Sequence, residues 1–136
     1  MIKETELRIG NLVGFYRPEV TEMRIGSVQQ IYINEDNIYR VIIPKFSSYI
    51  GLPLAGIKPI TLTEEWLISF GFIKESNKNI VWDFTDKKTG WFTISERDGF
   101  YKFCNIRDLI GKQFKYVHEL QNLYFSLTGN DLIYNK

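Results

Sequence analysis

The chain of 136 residues contains one cysteine and one histidine, Cys104 and His118. A single cysteine cannot form an intramolecular disulfide, which favours a reducing compartment. A structural zinc site needs about four cysteine or histidine ligands, so the composition excludes one. No segment approaches the roughly 20 apolar residues that a membrane-spanning helix requires, and the first residues lack the apolar stretch of a signal peptide. We therefore expect a cytoplasmic protein that does not bind a membrane.

An excess of charge of either sign is also absent. Lysine and arginine total 17 and aspartate and glutamate total 16, so the formal net charge is +1. A near-neutral chain has no global electrostatic attraction for DNA, RNA or anionic lipid. Nucleic acid is therefore a weak candidate partner, although a local basic patch stays open.

Motifs for catalysis are missing as well. Gly111-Lys112 lacks the upstream glycine and the following serine or threonine of a phosphate-binding loop, and no Gly-x-Gly-x-x-Gly run exists. Carboxylate pairs such as Glu64 with Glu65 or Glu96 with Asp98 stay open as candidates for acid–base work, but local geometry does not position either pair as a catalytic couple. Cys104 and His118 are the only candidates for a nucleophilic dyad, and a buried structural cysteine is the favoured interpretation. We expect a protein that is not an enzyme and that uses no cofactor.

The chain does contain ample apolar surface. Hydrophobic residues make up 44 % and aromatic residues 15 %, which suits a single compact domain over residues 1–136 with subdomains 1–58 and 59–136. Short alternating runs between residues 7 and 43 are separated by turn residues at Gly10-Asn11 and Asn34–Asn37. This pattern predicts a small SH3-like barrel or a β-meander at the N-terminus.

Helical and strand patterns both occur in the second half. Residues 59–72 predict a short helix that is capped by Thr61 or Thr63 and ends at Gly71. Alternating apolar residues then predict a second antiparallel meander up to residue 105, and a last helix begins near Gln113. The predicted fold class is α+β, with the C-terminal helix packed on the second meander.

The last helix has an unusually wide apolar surface. Its polar stripe has the spacing of successive helical turns and comprises Lys115, Glu119, Asn122 and Ser126. The apolar side comprises Tyr116, Val117, Leu120, Leu123, Tyr124 and Leu127, and the flank between the two comprises Phe114, His118, Gln121 and Phe125. Most of this helix must therefore be covered by a sheet, by another helix or by a partner chain.

The middle strand of the second meander carries the sharpest candidate for a binding site. Alternation places Phe92, Ile94 and Glu96 on one side and Trp91, Thr93, Ser95 and Arg97 on the other. Aromatic and guanidinium groups stack on nucleobases, and arginine and hydroxyl groups bind phosphate. The predicted ligand-binding residues are Trp91 and Arg97 on this face, Lys102 on the following strand, and His118 and Gln121 on the helix flank. Whether Lys102 shares the face depends on the strand register, which the sequence leaves open. A solvated sheet face and a core histidine remain the alternatives.

Three segments together resemble one protein family. They are Glu6–Val13 (ELRIGNLV), Pro59–Phe72 (PITLTEEWLISFGF) and Lys115–Gly129 (KYVHELQNLYFSLTG). The pattern is similar to that of small uncharacterised proteins encoded by phages and integrated elements of Bacteroidota. The resemblance implies a phage or prophage accessory protein acting in the host cytoplasm, and it implies no activity.

These observations lead to one functional expectation and two alternatives. We expect a non-enzymatic binding protein whose ligand is a nucleotide-derived host defence signal, an expectation that rests on analogy. The first alternative is a protein-interaction or homo-oligomerisation module that uses part of the apolar last helix. The second is an accessory protein that binds nucleic acid.

Overall fold

The computed structural model describes residues 2–16, 22–44, 51–74, 81–86, 90–104 and 109–134. Within these residues the chain has two α-helices and three antiparallel sheets, which confirms the predicted α+β class. It forms two compact units, Met1–Ile60 and Thr61–Lys136. No helix in the described part of the chain is long and apolar enough to cross a membrane.

The first unit contains two three-stranded sheets. Its strands are β1 (Leu12–Phe15), β2 (Arg24–Ser27), β3 (Gln30–Ile33), β4 (Tyr39–Ile42), β5 (Leu52–Pro53) and β6 (Ile57–Lys58). One sheet has the order β2-β1-β6 and the other has the order β3-β4-β5. Short 3-10 turns occupy Glu4–Glu6 and Leu54–Gly56. Each sheet has one side on a shared apolar core that includes Val13, Phe15, Val41, Ile43 and Ile57.

The predicted SH3-like barrel is not found, because neither sheet of the described residues closes on itself. The apolar run from Arg24 to Ile33 looks continuous in the sequence, but it divides between two sheets. The Val28 amide donates to the Asn11 carbonyl at 2.8 Å, next to β1, and the following Gln29 amide donates to the Ile42 carbonyl of β4 at 2.9 Å. Two consecutive residues therefore hydrogen-bond to different sheets, and this change of partner leaves no signature in the alternation.

The predicted turn at Asn34–Asn37 is confirmed and joins β3 to β4. The Asn34 side-chain oxygen accepts hydrogen bonds from the amides of Asp36 at 3.1 Å and Ile38 at 2.9 Å. Asn37 has a φ of 62°, a conformation that asparagine tolerates better than most residues. Local side-chain chemistry thus sets this hairpin.

The second unit combines one five-stranded sheet with both α-helices. Its elements are α1 (Glu64–Phe70), β7 (Ile73–Lys74), β8 (Val81–Asp86), β9 (Gly90–Arg97), β10 (Phe100–Cys104), β11 (Leu109–Phe114) and α2 (Val117–Thr128). The strand order is β11-β10-β9-β8-β7, an antiparallel meander. The side chains of residues 84–86, 90, 91, 104 and 109–112 lie outside the described part of the chain.

Both ends of α1 follow the prediction. The Trp66 amide donates to the Thr63 hydroxyl at 3.4 Å, so Thr63 is the cap rather than Thr61. The helix ends at Gly71, whose φ of 97° is costly for any residue with a Cβ. The Gly71 amide closes the last turn on the Ile68 carbonyl at 2.9 Å.

The predicted start of the last helix near Gln113 is wrong. Residues Leu109–Phe114 form β11, and α2 begins at Val117. Phe114 pairs with Tyr101 of β10, and the rings of these two residues stack at 5.9 Å. The stretch alternates poorly because the β10–β11 register shifts between Tyr101 and Phe103, and such an irregularity hides a strand from pattern analysis.

The predicted division of α2 into an apolar side, a polar stripe and a flank is also partly corrected. Its buried residues are Val117, His118, Leu120, Gln121 and Tyr124. Leu127, assigned to the covered side, is 52 % exposed, and Phe125 is also exposed. The buried face is thus rotated toward the predicted flank, since His118 and Gln121 are buried while Leu127 is exposed. The centroids of the Tyr124 ring and the Phe92 ring of β9 are 5.2 Å apart, so this side of α2 packs on the sheet.

Register assigns every described residue of β9 and β10 to one of two faces. Directly paired residues share a face, and the pairs include Glu96 with Tyr101 and Lys102 with Ser95. We call the face under α2 the inner face; it carries Phe92, Ile94, Glu96, Tyr101 and Phe103. We call the opposite face the outer face; it carries Thr93, Ser95, Arg97, Phe100 and Lys102.

Candidate functional site

The hairpin between β9 and β10 positions the candidate residues of the outer face. Arg97 and Phe100 are paired across a two-residue turn made by Asp98 and Gly99. These turn residues have φ values of 54° and 81°, as a tight hairpin of the favoured hand requires. The turn therefore places the Arg97 guanidinium and the Phe100 ring side by side at the end of the sheet.

The outer face brings together three cationic side chains and one exposed ring, which we call the basic–aromatic cluster: Arg97, Phe100, Lys102 and Lys115. Phe100 is 42 % exposed, an unusual state for a phenylalanine. The Lys115 ammonium lies 5.7 Å from the centroid of the Phe100 ring and 5.1 Å from that of Tyr116, within cation–π range. Among the described residues Arg97 is exposed and makes no ion pair or hydrogen bond.

Acidic groups near this cluster are partly engaged elsewhere. The Glu119 carboxylate accepts hydrogen bonds from the backbone amides of Lys115 at 3.4 Å and Tyr116 at 3.2 Å, where it caps α2. The Asp83 carboxylate lies on the same side of the sheet as Thr93 and is buried, with the Thr93 hydroxyl donating to it at 2.5 Å. These carboxylates keep their negative charge while they accept hydrogen bonds, so they partly offset the three cationic side chains of the cluster.

Four of the five predicted ligand-binding residues have described side chains, and these four divide into two groups. Arg97 and Lys102 lie together on the outer face, and the β9–β10 register decides the position of Lys102, which the alternation left open. Trp91 belongs to β9, but its side chain lies outside the described residues. His118 and Gln121 are both on the buried side of α2, with 2 % and 4 % of their surface exposed. The His118 ring also stacks on Tyr116 at 5.9 Å.

A second arrangement lies on the inner side of the same sheet. A cleft of about 240 Å³ is lined by Glu64, Lys74, Trp82, Glu96 and Tyr101. Glu64 comes from the first turn of α1, and the other residues come from β7 to β10. The register pairs Lys74 with Trp82 and Glu96 with Tyr101, so these four share one face. Two carboxylates, one ammonium group and one phenol thus surround one opening.

The groups in this cleft are only partly engaged with one another. One Glu96 oxygen accepts the Gly99 amide at 3.0 Å. The Lys74 ammonium lies 5.7 Å above the Trp82 ring, and among the described residues it forms no ion pair with either carboxylate. Burial, and then the carboxylates of Glu96 and Glu64, raise the pKa of Tyr101 from 10.0 to about 12.

Sequence analysis did not identify this cleft. Glu64 was considered only as a partner of its neighbour Glu65, whereas the fold brings it toward Glu96. One available observation was that Glu96 shares a strand face with Phe92 and Ile94. A carboxylate on an otherwise apolar face is expensive to bury without a purpose or a partner, so it marked the position of a polar opening.

The described residues offer no cluster of three or more histidine, cysteine, aspartate or glutamate side chains that could hold a metal ion. The Cys104 side chain lies outside the described part, so the distance between the cysteine and His118 is not described. The outer face presents cations and an exposed ring, and the inner face presents carboxylates and a phenol. Comparison of the chain with protein-family models, with curated proteins and with solved structures finds no match to any of the three.

Proposed function

We propose that this chain is a non-enzymatic binding protein and that the basic–aromatic cluster receives a nucleotide-type ligand. The observation that carries the proposal is the placement of three cationic side chains around the exposed Phe100 ring on one sheet face. A nucleotide joins a flat base to an anionic phosphate. An exposed ring beside cationic donors is complementary to both parts.

Each group has a distinct task in this proposal. The Phe100 ring stacks on the base, where stacking contributes about 1–3 kcal/mol in single-stranded nucleic-acid complexes. The Arg97 guanidinium offers a planar set of donors that matches phosphate oxygens. Lys115 already lies over the Phe100 ring, so its charge is held near the phosphate of a stacked nucleotide. The resemblance to phage-encoded proteins adds a biological context, in which the bound nucleotide is a host signal that the protein sequesters.

The test is a thermal-shift titration with AMP, cyclic AMP and two fragments, adenosine and ribose phosphate. A ligand that binds only the folded state raises the melting temperature in proportion to its occupancy. We expect AMP or cyclic AMP to raise it more than either fragment does, because each fragment contacts only part of the cluster. The absence of a shift with every compound would refute the proposal.

Variants then locate the site. Arg97→Gln should weaken nucleotide binding by about tenfold, the value expected for the loss of a charge-assisted hydrogen bond. Phe100→Leu keeps an apolar side chain but removes the ring, so it should reduce the contribution of the base and leave that of the phosphate. The matched control is Arg24→Gln, which removes an exposed strand arginine from the other unit. An equal loss in Arg24→Gln would count against the outer face.

The nucleic-acid alternative is separated by the same assay. A short single-stranded oligonucleotide is added in low and in high salt. Binding of the oligonucleotide with a steep salt dependence, and without binding of the mononucleotides, would replace the small-molecule proposal. The oligomerisation alternative stays a prediction and is checked by solution mass.

A further inference from the structure

We infer that the inner-face cleft is a second binding site, which takes a small organic cation carrying one ammonium group. It is separate from the basic–aromatic cluster and has the opposite preference for charge. The cleft measures about 240 Å³, below the roughly 300–1,000 Å³ of sites for drug-sized ligands. Since one water occupies about 30 Å³, the space suits a ligand of about eight non-hydrogen atoms.

The first argument is the balance of charge around the opening. Two carboxylates, Glu64 and Glu96, face one ammonium group, that of Lys74. The lining therefore carries one negative charge in excess, which a monocation neutralises and an anion makes worse. Among the described residues Glu64 has no hydrogen bond or ion pair, and Glu96 uses one oxygen for the Gly99 amide and keeps the other.

The second argument is independent of the carboxylates and concerns Tyr101. Its side chain is only 5 % exposed, yet its hydroxyl borders the cleft. Among the described residues this hydroxyl has no hydrogen-bond partner. The hydroxyl is not one of the fully buried, unpaired polar atoms of the described residues, so it opens on the cleft. An ammonium N–H bound there can donate to the phenol oxygen. The raised pKa of Tyr101 agrees with a negative potential at that oxygen.

The third argument is the Trp82 ring under the Lys74 ammonium. The 5.7 Å separation shows that this part of the cleft already favours a positive charge. Lys74 is an exposed residue of β7, and its long, flexible side chain allows the ammonium group to move aside. A bound cation then takes its position near the ring and lies closer to both carboxylates than Lys74 does.

The experiment follows amide chemical shifts by NMR during titration with n-butylammonium, and compares its neutral and anionic analogues 1-butanol and butyrate. The Gly99 amide and the Trp82 indole are the reporters, since one is bonded to Glu96 and the other lines the cleft. We expect saturable shifts with the ammonium ion only. A comparable response to butyrate, or none to n-butylammonium, would overturn the inference.

The most decisive result is whether one variant strengthens or weakens the binding of n-butylammonium. Lys74→Gln removes a competing positive charge, so it should strengthen n-butylammonium binding by about threefold, as expected for unit charges about 5 Å apart in water. If the cleft instead recognised an anion or the carboxylate of a zwitterion, the same change would weaken binding. Weaker binding in Lys74→Gln therefore refutes the assignment.

Carboxylate variants complete the test. Glu64→Gln and Glu96→Gln should each weaken binding by about tenfold. The matched control Glu65→Gln changes an exposed carboxylate of the same helical turn that does not line the cleft, and it should leave binding unchanged. Tyr101→Phe keeps the ring and should weaken binding by about fivefold while preserving the fold. Equal losses in Glu64→Gln and Glu65→Gln would show a nonspecific charge effect and would refute the site.

The ammonium group could belong to a free amine or to a lysine side chain of a peptide. A further arm of the titration uses Nα-acetyl-lysine amide, which presents the same group on a peptide backbone. If Nα-acetyl-lysine amide binds at least as tightly as n-butylammonium, the cleft is assigned to the lysine side chain of a peptide. If Nα-acetyl-lysine amide does not bind, the cleft is assigned to free amines. None of these outcomes depends on nucleotide binding by the outer face.

Discussion

Replacing Tyr101 by phenylalanine should change how the stability of the protein depends on pH. The change removes the phenol hydroxyl and keeps the ring that stacks on Phe114. The pKa of Tyr101 is raised from 10.0 to about 12 in the folded protein, first by burial and then by Glu96 and Glu64. In the unfolded chain the phenol returns to its usual pKa of 10.0.

The direction of the effect follows from proton binding. Between pH 10.0 and about 12 the unfolded chain releases the phenol proton while the folded protein keeps it. Rising pH therefore favours the unfolded state, so the contribution of Tyr101 is fully present below pH 10.0 and is lost as pH rises to about 12. A pKa raised from 10.0 to about 12 corresponds to about 3 kcal/mol at most, and water that enters the open cleft lowers this value.

The assay is urea unfolding of the natural protein and of Tyr101→Phe at a series of alkaline pH values. The difference in free energy of unfolding between them should be constant at neutral pH and should fall by at most about 3 kcal/mol across the titration window. The ultraviolet absorbance of tyrosinate, taken as a difference between the two proteins, reports the same pKa directly. A difference that does not vary with pH would show that the phenol is well solvated, and it would refute the electrostatic description of the cleft.

Two further predictions concern stability. Gly71→Ala should lower the free energy of unfolding by about 1–2 kcal/mol because Gly71 has a φ of 97°. Gly56→Ala should change little, because an added Cβ would meet only the Pro53 side chain at an ordinary contact distance of 3.9 Å. Equal effects measured by urea unfolding would contradict this reasoning. Leu120→Ala should cost about 3 kcal/mol because the side chain is fully buried, whereas Leu127→Ala should cost less than about 0.5 kcal/mol. Similar costs in calorimetric melting would mean that Leu127 is covered in solution, as an oligomer interface would require.

The parts of the fold that were predictable are those set by neighbouring residues. Thr63 and Gly71 define α1 through hydrogen bonds and a backbone angle within a few positions. Asn34 sets its hairpin in the same way. Alternation along β9 also placed Arg97 on the face opposite Ile94, which the register confirms. Such features need no knowledge of distant parts of the chain.

The features that escaped prediction depend on distant pairings. The barrel was expected because nothing in the run around Val28 shows that its hydrogen bonds change from one sheet to another. The sequence pattern places the start of the last helix near Gln113, inside β11, because β11 pairs with β10 across a register that shifts between Tyr101 and Phe103. The cleft was missed for the same reason: Glu64 and Tyr101 are far apart in sequence, and only the packing of α1 on the sheet brings them to one opening.

The two surfaces are carried by adjacent residues of the same two strands. Glu96 and Tyr101 face inward, while their neighbours Arg97 and Lys102 face outward. Because successive residues of a strand point to opposite sides, a deletion of one residue within β9 or β10 would move the inward side chains of that strand outward and the outward ones inward. Insertions and deletions in this hairpin are therefore tolerated less than substitutions. Evolution can change either surface only by replacing side chains while the strand register stays fixed.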